Sequence, residues 1–94
     1  MNINRKRLLA LLGHDEARVE RFIINFQTQL PALVQSIRTA FEQQNWETAS
    51  IHCHDLKNQA NYLGLKDLSA RAYELELMAE REKLPSRALM DSLL

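Results

Sequence analysis

The residues best able to do chemistry in this sequence stand together at positions 52–57, which read His-Cys-His-Asp-Leu-Lys. On a helix each residue advances by about 100°, so His54 and Lys57 lie on the same side, one turn apart. Cys53 and Leu56 then point toward the apolar side. An ammonium group beside an exposed imidazole repels the protonated ring and attracts a phosphorylated one. The spacing therefore favours phosphoryl chemistry on His54 over a role in core packing.

The alternatives are that His54 is an exposed residue without a role, that His52 carries the phosphoryl group, or that the histidines bind a metal. His52 lies well around the helix from His54 and has no lysine three residues after it. Metal ligands on one helix normally need a spacing of three or four residues, which His52, Cys53 and His54 lack. His14 is far along the chain. We therefore expect no metal site.

Length, charge and cysteine content limit the function further. The 94 residues suffice for one domain, residues 1–94. Basic and acidic residues number 12 each, whereas a nucleic-acid-binding domain of this size is usually basic. No apolar stretch approaches the roughly 20 residues of a membrane span, and the N-terminus lacks a signal-peptide core. With its single cysteine, the chain is expected in the cytoplasm, without a nucleic-acid or membrane partner.

Apolar periodicity predicts an all-α fold. A short helix over 5–12 begins after Asn4 and ends at Gly13. Asp15 begins a much longer helix, whose apolar residues alternate between spacings of four and three. These residues are Val19, Ile23, Phe26, Leu30, Leu33, Ile37 and Ala40. Because this phase continues across Pro31, we expect a kink there; two helices broken before Pro31 are the alternative.

The third predicted helix carries the candidate phosphoryl acceptor. Asn45 caps it, Trp46 opens it, and it runs to about Leu63, where Gly64 supplies a stop signal. Its core side consists of Trp46, Ala49, Cys53, Leu56, Ala60 and Leu63. A fourth helix follows, with an apolar face formed by Leu65, Leu68, Ala72, Leu75 and Ala79.

A last helix begins at Pro85 or Ser86 and has room for only about two or three turns before Leu94. The elements together predict an antiparallel four-helix bundle with a short N-terminal helix across one end and a short last helix.

At this point the sequence resembles the histidine-containing phosphotransfer (HPt) family of two-component phosphorelays. The run His54-Asp55-Leu56-Lys57, then Ala60, then Leu63-Gly64-Leu65, is similar to the family signature. Asn45-Trp46 is similar to the residues that open the histidine-bearing helix, and Leu75-Glu76 to a pair on the following helix. The long helix adds Phe26, Pro31 and Leu33. The resemblance extends from about Asp15 to about Glu82.

The resemblance implies a phosphocarrier function. His54 would accept a phosphoryl group on Nε2 from a receiver-domain aspartate and pass it to another receiver, with Glu76 orienting the ring and Lys57 stabilising the added charge. Response-regulator receivers and a sensor or hybrid histidine kinase are the implied partners. The receiver would bring the magnesium, so no cofactor is expected on this chain. No Gly-rich nucleotide loop is present, so ATP-dependent kinase activity is not expected.

One departure from the family concerns the position one turn beyond His54. Asn58 replaces a residue that is usually glycine or serine, and its side chain either crowds the ring or donates a hydrogen bond to the phosphoryl oxygens. Ile51, Asn61 and Tyr62 flank His54 away from the core side and, with Asn58, are candidates for receiver docking. The alternative function is a helical interaction module that binds a receiver or a partner helix without accepting phosphate.

The last helix is strongly apolar for its length, because it carries Leu89, Met90, Leu93 and Leu94. So short a helix cannot turn all four toward one core, and we expect some apolar surface to stay open. Open apolar surface tends to mark an association site. Self-association through the C-terminal helix, or a continuation of the chain in the native protein, is therefore predicted. The alternative is a monomer that tolerates a frayed end.

Overall fold

The structure is a computed structural model that describes residues 2–93. Within this range the chain forms helices and no strands, which confirms the predicted all-α fold. The helices are α1 (Arg5–Leu11), α2 (Glu16–Glu42), α3 (Trp46–Tyr62), α4 (Lys66–Glu80) and α5 (Arg87–Asp91). None of the helices in residues 2–93 is long and apolar enough to cross a membrane.

Most helix starts follow from a single side chain. At four of them the capping residue accepts a hydrogen bond from the backbone N–H three residues later, which satisfies one of the free donors at a helix N-terminus. The caps are Asn4, Asp15, Asn45 and Ser86. The predicted starts at Asn4, Asp15 and Asn45 are therefore confirmed. Helix α4 differs, because its cap is Leu65, which has no side chain able to accept a hydrogen bond.

Helix α2 continues through Pro31, so the alternative of two helices broken at this proline is wrong. One predicted core position also needs correction. Val34 is buried, whereas Leu33 is only half-buried and packs against the core from its side. Either residue keeps the helical spacing between Leu30 and Ile37, so the packing of the bundle, and not the apolar period, determines which one is buried.

Helices α3 and α4 make the most extensive helix–helix contact in the described residues. The face that α3 turns inward is made of small and medium side chains that are fully buried. They are Ala49, Cys53, Leu56 and Ala60. Helix α4 contributes Ala72, Leu75 and Ala79. Because small residues allow helix axes to approach closely, α4 can place a side chain directly against the outer edge of α3.

The short helix α1 is fastened to the turn between α3 and α4. The Asn4 backbone N–H donates to the Leu63 carbonyl over 2.8 Å, and Arg7 Nε donates to the Asn61 carbonyl over 3.1 Å. Gly64 ends α3 in the left-handed region, at a φ of 72°, and the Leu65 N–H reaches back to the Ala60 carbonyl. The N-terminal helix therefore lies across one end of the bundle, as predicted.

Helix α5 and the residues after it bury part of the apolar C-terminus. Met90 and Leu93 are buried in the main core, and Leu89 is half-buried against it. After the short helix, Leu93 lines a surface cavity together with Leu65 and Leu68. Leu94 lies outside the described residues. The open apolar surface and the self-association based on it stay predictions, since Leu89 is only half-buried and Leu94 is not described.

The two glycines provide a test of how α1 is held. Gly13 and Gly64 both have a φ near 70°, at 70° and 72°. An alanine Cβ at position 13 would have no atom within 4 Å, whereas at position 64 it would lie 2.7 Å from the Asn4 Cβ. We expect Gly13→Ala to lower the free energy of unfolding by about 1–2 kcal/mol, the strain of a left-handed L-residue. Gly64→Ala should cost about 1–3 kcal/mol more, because Asn4 must move.

Urea unfolding of the two variants measures this difference, and hydrogen exchange at the Asn4 amide reports the loosening of α1. Equal losses in both variants would contradict the close contact between Gly64 and Asn4.

Candidate functional site

The candidate site is built by two residues of α3 and one of α4. His54 Nδ1 lies 2.8 Å from Glu76 Oε2, and Lys57 Nζ lies 2.7 Å from Glu76 Oε1. His54 and Lys57 are neighbours on α3 because they are three residues apart. The close packing of α3 against α4 brings Glu76 within reach of both. The structure thus brings together the three residues that the sequence singled out for phosphoryl chemistry.

The hydrogen bonds of Glu76 determine which nitrogen of His54 carries the proton. An ionised carboxylate can only accept hydrogen bonds, so the Nδ1 of His54 must donate. In the neutral ring the proton therefore resides on Nδ1, an assignment that follows from the network. Nε2 then keeps its lone pair and forms no hydrogen bond to any residue within 2–93. The His54 side chain is 52% exposed, so the ring can be reached from solvent.

Glu76 is the only charged residue that is buried among residues 2–93. Burial opposes the ionisation of its carboxyl group, but the hydrogen bonds and charges of Lys57 and His54 outweigh that effect. The pKa of Glu76 consequently lies below its ordinary value. The carboxylate stays charged at neutral pH because each of its oxygens receives one donor. A buried charge without these partners would be strongly destabilising.

Two residues that the sequence did not single out also contact Lys57. The Lys57 Nζ lies 5.0 Å from the centre of the Tyr73 ring, within the range of a cation–π contact. Ser69 Oγ donates to the Lys57 carbonyl over 3.3 Å. Both belong to α4, on the side that carries Glu76. Ser69 lies seven residues and Tyr73 three residues before Glu76, which places both on the same face of a helix as Glu76. This spacing could have identified them from the sequence once α4 and the role of Glu76 had been predicted.

The neighbouring residues His52 and Cys53 lie outside this network. Cys53 is buried, and desolvation together with the charge of Glu76 raises the pKa of its thiol to about 12. The thiol therefore stays protonated and acts as a small apolar group. His52 is half-buried and does not contact Glu76. No cluster of potential metal ligands occurs in residues 2–93.

The four residues predicted to dock a receiver lie on the exposed side of α3. Ile51 and Tyr62 are 53% and 49% exposed. Asn58 and Asn61 are also exposed, and the Asn58 side chain forms no hydrogen bond within the described chain. Helical spacing places Ile51, Asn58, Asn61 and Tyr62 around His54. The Tyr62 ring makes an edge-on contact with the Phe22 ring, at 6.3 Å between centres.

Comparison with known proteins identifies the family of the chain. The model of the Hpt domain family matches residues 21–94, which is most of the chain. The chain belongs to the Hpt domain family, whose members are phosphocarrier modules of two-component signalling and work with receiver domains and histidine kinases. No curated protein and no solved structure gave a significant match.

The depressed pKa of Glu76 predicts how stability depends on pH. A carboxyl group whose pKa is lower in the folded protein stabilises it above the ordinary value of 4.5. That contribution is lost as the pH falls from 4.5 through the folded pKa. We expect wild type to be more stable than Glu76→Gln at neutral pH, and the difference in unfolding free energy to shrink in acid.

Urea unfolding of both proteins at neutral pH and at stepwise lower pH measures this difference. Glu74→Gln, at an exposed position on the same helix, is the matched control. A difference between wild type and Glu76→Gln that stays constant through the acid range would show that Glu76 is not the charged centre of the site.

Proposed function

We propose that this chain is a cytoplasmic phosphorelay intermediate, in which His54 accepts a phosphoryl group from the aspartate of one receiver domain and passes it to another. The observation that carries the proposal is the hydrogen bond of His54 Nδ1 to Glu76, at 2.8 Å. It orients the ring and leaves Nε2 unprotonated on an exposed surface. This is the combination that a nucleophilic imidazole needs.

The proposed transfer requires little from this chain beyond position and charge. Nε2 of His54 attacks the phosphorus atom of the aspartyl phosphate, and the new N–P bond forms as the P–O bond to the aspartate breaks. The aspartate leaves as a carboxylate. The proton on Nδ1 stays in place, so the ring gains positive charge, which the adjacent Glu76 carboxylate stabilises. Transfer to the next receiver reverses these steps.

Lys57 is proposed to stabilise the added phosphoryl charge. Its ammonium group is one helical turn from His54, and its side chain is 24% exposed, so the charge is near the surface where the phosphoryl group arrives. In the unphosphorylated protein this ammonium donates to Glu76 Oε1. A positive charge at this place offsets part of the negative charge that His54 acquires.

The partners follow from the same proposal. A receiver docks on the face formed by Ile51, Asn58, Asn61 and Tyr62, where two exposed apolar side chains surround a polar centre. The receiver supplies magnesium and the acidic pocket, so we assign no cofactor to this chain. A sensor or hybrid histidine kinase is the proposed source of the phosphoryl group at the start of the relay. The chain acts as a carrier and not as an ATP-dependent kinase.

The central test replaces the acceptor. We expect His54→Gln to abolish phosphate acceptance from a phosphorylated receiver while helicity stays nearly unchanged, because the His54 side chain is half exposed. Stability should fall if the glutamine amide does not replace the donor that the buried Glu76 carboxylate loses. The His52→Gln variant is the matched control and should accept phosphate as wild type does. The readout is acid-labile, base-stable phosphate on the protein, together with helical circular dichroism.

Acceptance that survives in His54→Gln and disappears in His52→Gln would overturn the assignment. If wild type bound the receiver without acquiring phosphate, the alternative function as an interaction module would hold.

Asn58 provides a second test, directed at the approach of the receiver. Its side chain is exposed and forms no hydrogen bond within residues 2–93, so it lies where a receiver must come close to His54. We expect Asn58→Gly to raise the rate of transfer from a receiver, at a cost of about 0.5–1 kcal/mol in stability from the poorer helix propensity of glycine.

Phosphoryl transfer from the phosphorylated receiver, quenched at successive times, gives the rate, and urea unfolding gives the stability. A lower rate would mean that the Asn58 amide holds the phosphoryl group, and an unchanged rate would mean that this departure from the family pattern is neutral.

A further inference from the structure

Helix α4 contacts Lys57 at its backbone carbonyl and at its ammonium group. Ser69 Oγ donates to the Lys57 carbonyl over 3.3 Å, and Glu76 Oε1 accepts from its ammonium group over 2.7 Å. Between them, the Tyr73 ring lies against the ammonium, 5.0 Å from Nζ. These three α4 residues follow the spacing of four and then three, which places them on one side of the helix. Lys57 is thus held at its backbone and at its charged end.

We propose that Tyr73 is a positioning residue of this site: its ring holds the Lys57 ammonium on Glu76 and thereby keeps His54 in the tautomer with a proton on Nδ1 and a free Nε2. The tautomer part of this inference is independent of phosphate. Only its kinetic part rests on the proposed function of His54 as a phosphoryl acceptor.

The contact is needed because Lys57 has an alternative. Its side chain is partly exposed and has a flexible four-carbon chain. Without the Tyr73 ring beside it, the ammonium group can turn toward water. Glu76 would then have one donor in place of two. Its carboxylate would be less firmly oriented toward His54, and the competing tautomer with a proton on Nε2 would gain population. That tautomer has no lone pair on the exposed nitrogen.

The ring of Tyr73 is the part that carries this function, and not its hydroxyl group. The hydroxyl makes no hydrogen bond to any residue in the described range, and the side chain is 49% exposed. A cation is attracted to the face of phenylalanine as well as tyrosine. Tyr73→Phe should therefore behave as wild type, whereas Tyr73→Leu keeps an apolar side chain without a π-face.

The experiment has one measurement without phosphate and one with it. The first is the ¹⁵N NMR spectrum of the His54 ring at about pH 8, where an ordinary imidazole is neutral. It reports the populations of the two tautomers. The second is the rate at which phosphoramidate, a small donor that needs no receiver, phosphorylates the protein. Ile24→Ala, which changes a side chain of similar exposure on α2, is the control for a general surface effect.

We expect Tyr73→Leu to increase the Nε2-protonated tautomer and to slow phosphorylation by about two- to fivefold, the effect of losing a partly exposed cation–ring contact. Tyr73→Phe and Ile24→Ala should match wild type in both measurements. The proposal is overturned if Tyr73→Leu leaves the tautomers unchanged, or if Tyr73→Phe is as impaired as Tyr73→Leu. If wild type itself acquires no phosphate, the proposed function fails. The tautomer measurement still decides whether Tyr73 is a positioning residue.

Discussion

A single buried negative charge organises this site. The Glu76 carboxylate is nearly inaccessible to water, and a charge in that position is tolerated only when donors replace the lost hydration. Both of its donors come from one turn of α3, the imidazole of His54 and the ammonium of Lys57. The requirement to satisfy this carboxylate therefore links the register of α3 against α4 to the orientation of the reactive ring. The orientation of the His54 ring and the packing of α3 against α4 thus depend on the same hydrogen bonds to Glu76.

The packing beneath the site makes that arrangement possible. Small buried residues, Ala49, Cys53 and Ala60 on α3 with Ala72 and Ala79 on α4, let the two helices approach closely. Glu76 can then reach across with a side chain of ordinary length. Larger residues at these positions would separate the helices and leave the carboxylate with fewer donors. The alanine-rich interface consequently serves the site as well as the core.

Much of this fold was predictable because local signals and periodicity agree. Asn4, Asp15 and Asn45 are strong helix caps, Gly64 is a strong stop, and their positions match the structure. The choice between Leu33 and Val34 was not predictable, since both satisfy the helical period and only the packing of neighbouring helices distinguishes them. Which of the apolar residues of the last helix are buried was not predictable for a related reason, and the structure buries Met90 and Leu93. Their burial depends on the turn of the chain after α5, which periodicity does not describe.

The site was predictable to a similar depth. The spacing of His54 and Lys57 and their exposed side of the helix follow from the period of α3. The partner on α4 was found only through the family resemblance, because no local rule pairs residues 19 or 22 positions apart in different helices. Tyr73 and Ser69 were missed for the same reason. Their contacts with Lys57 exist only once α4 has been placed against α3.

The half-exposed ring of His54 has a consequence for the order in which receivers would bind in the proposed relay. Only one nitrogen of this ring is free of a hydrogen bond in the described residues, so in the proposed relay the receiver that delivers phosphate and the receiver that removes it would occupy the same place in turn. Such a relay would follow double-displacement kinetics without a ternary complex. Donor and acceptor receivers would then compete for one binding surface, and their relative abundance and affinity would influence the direction of transfer.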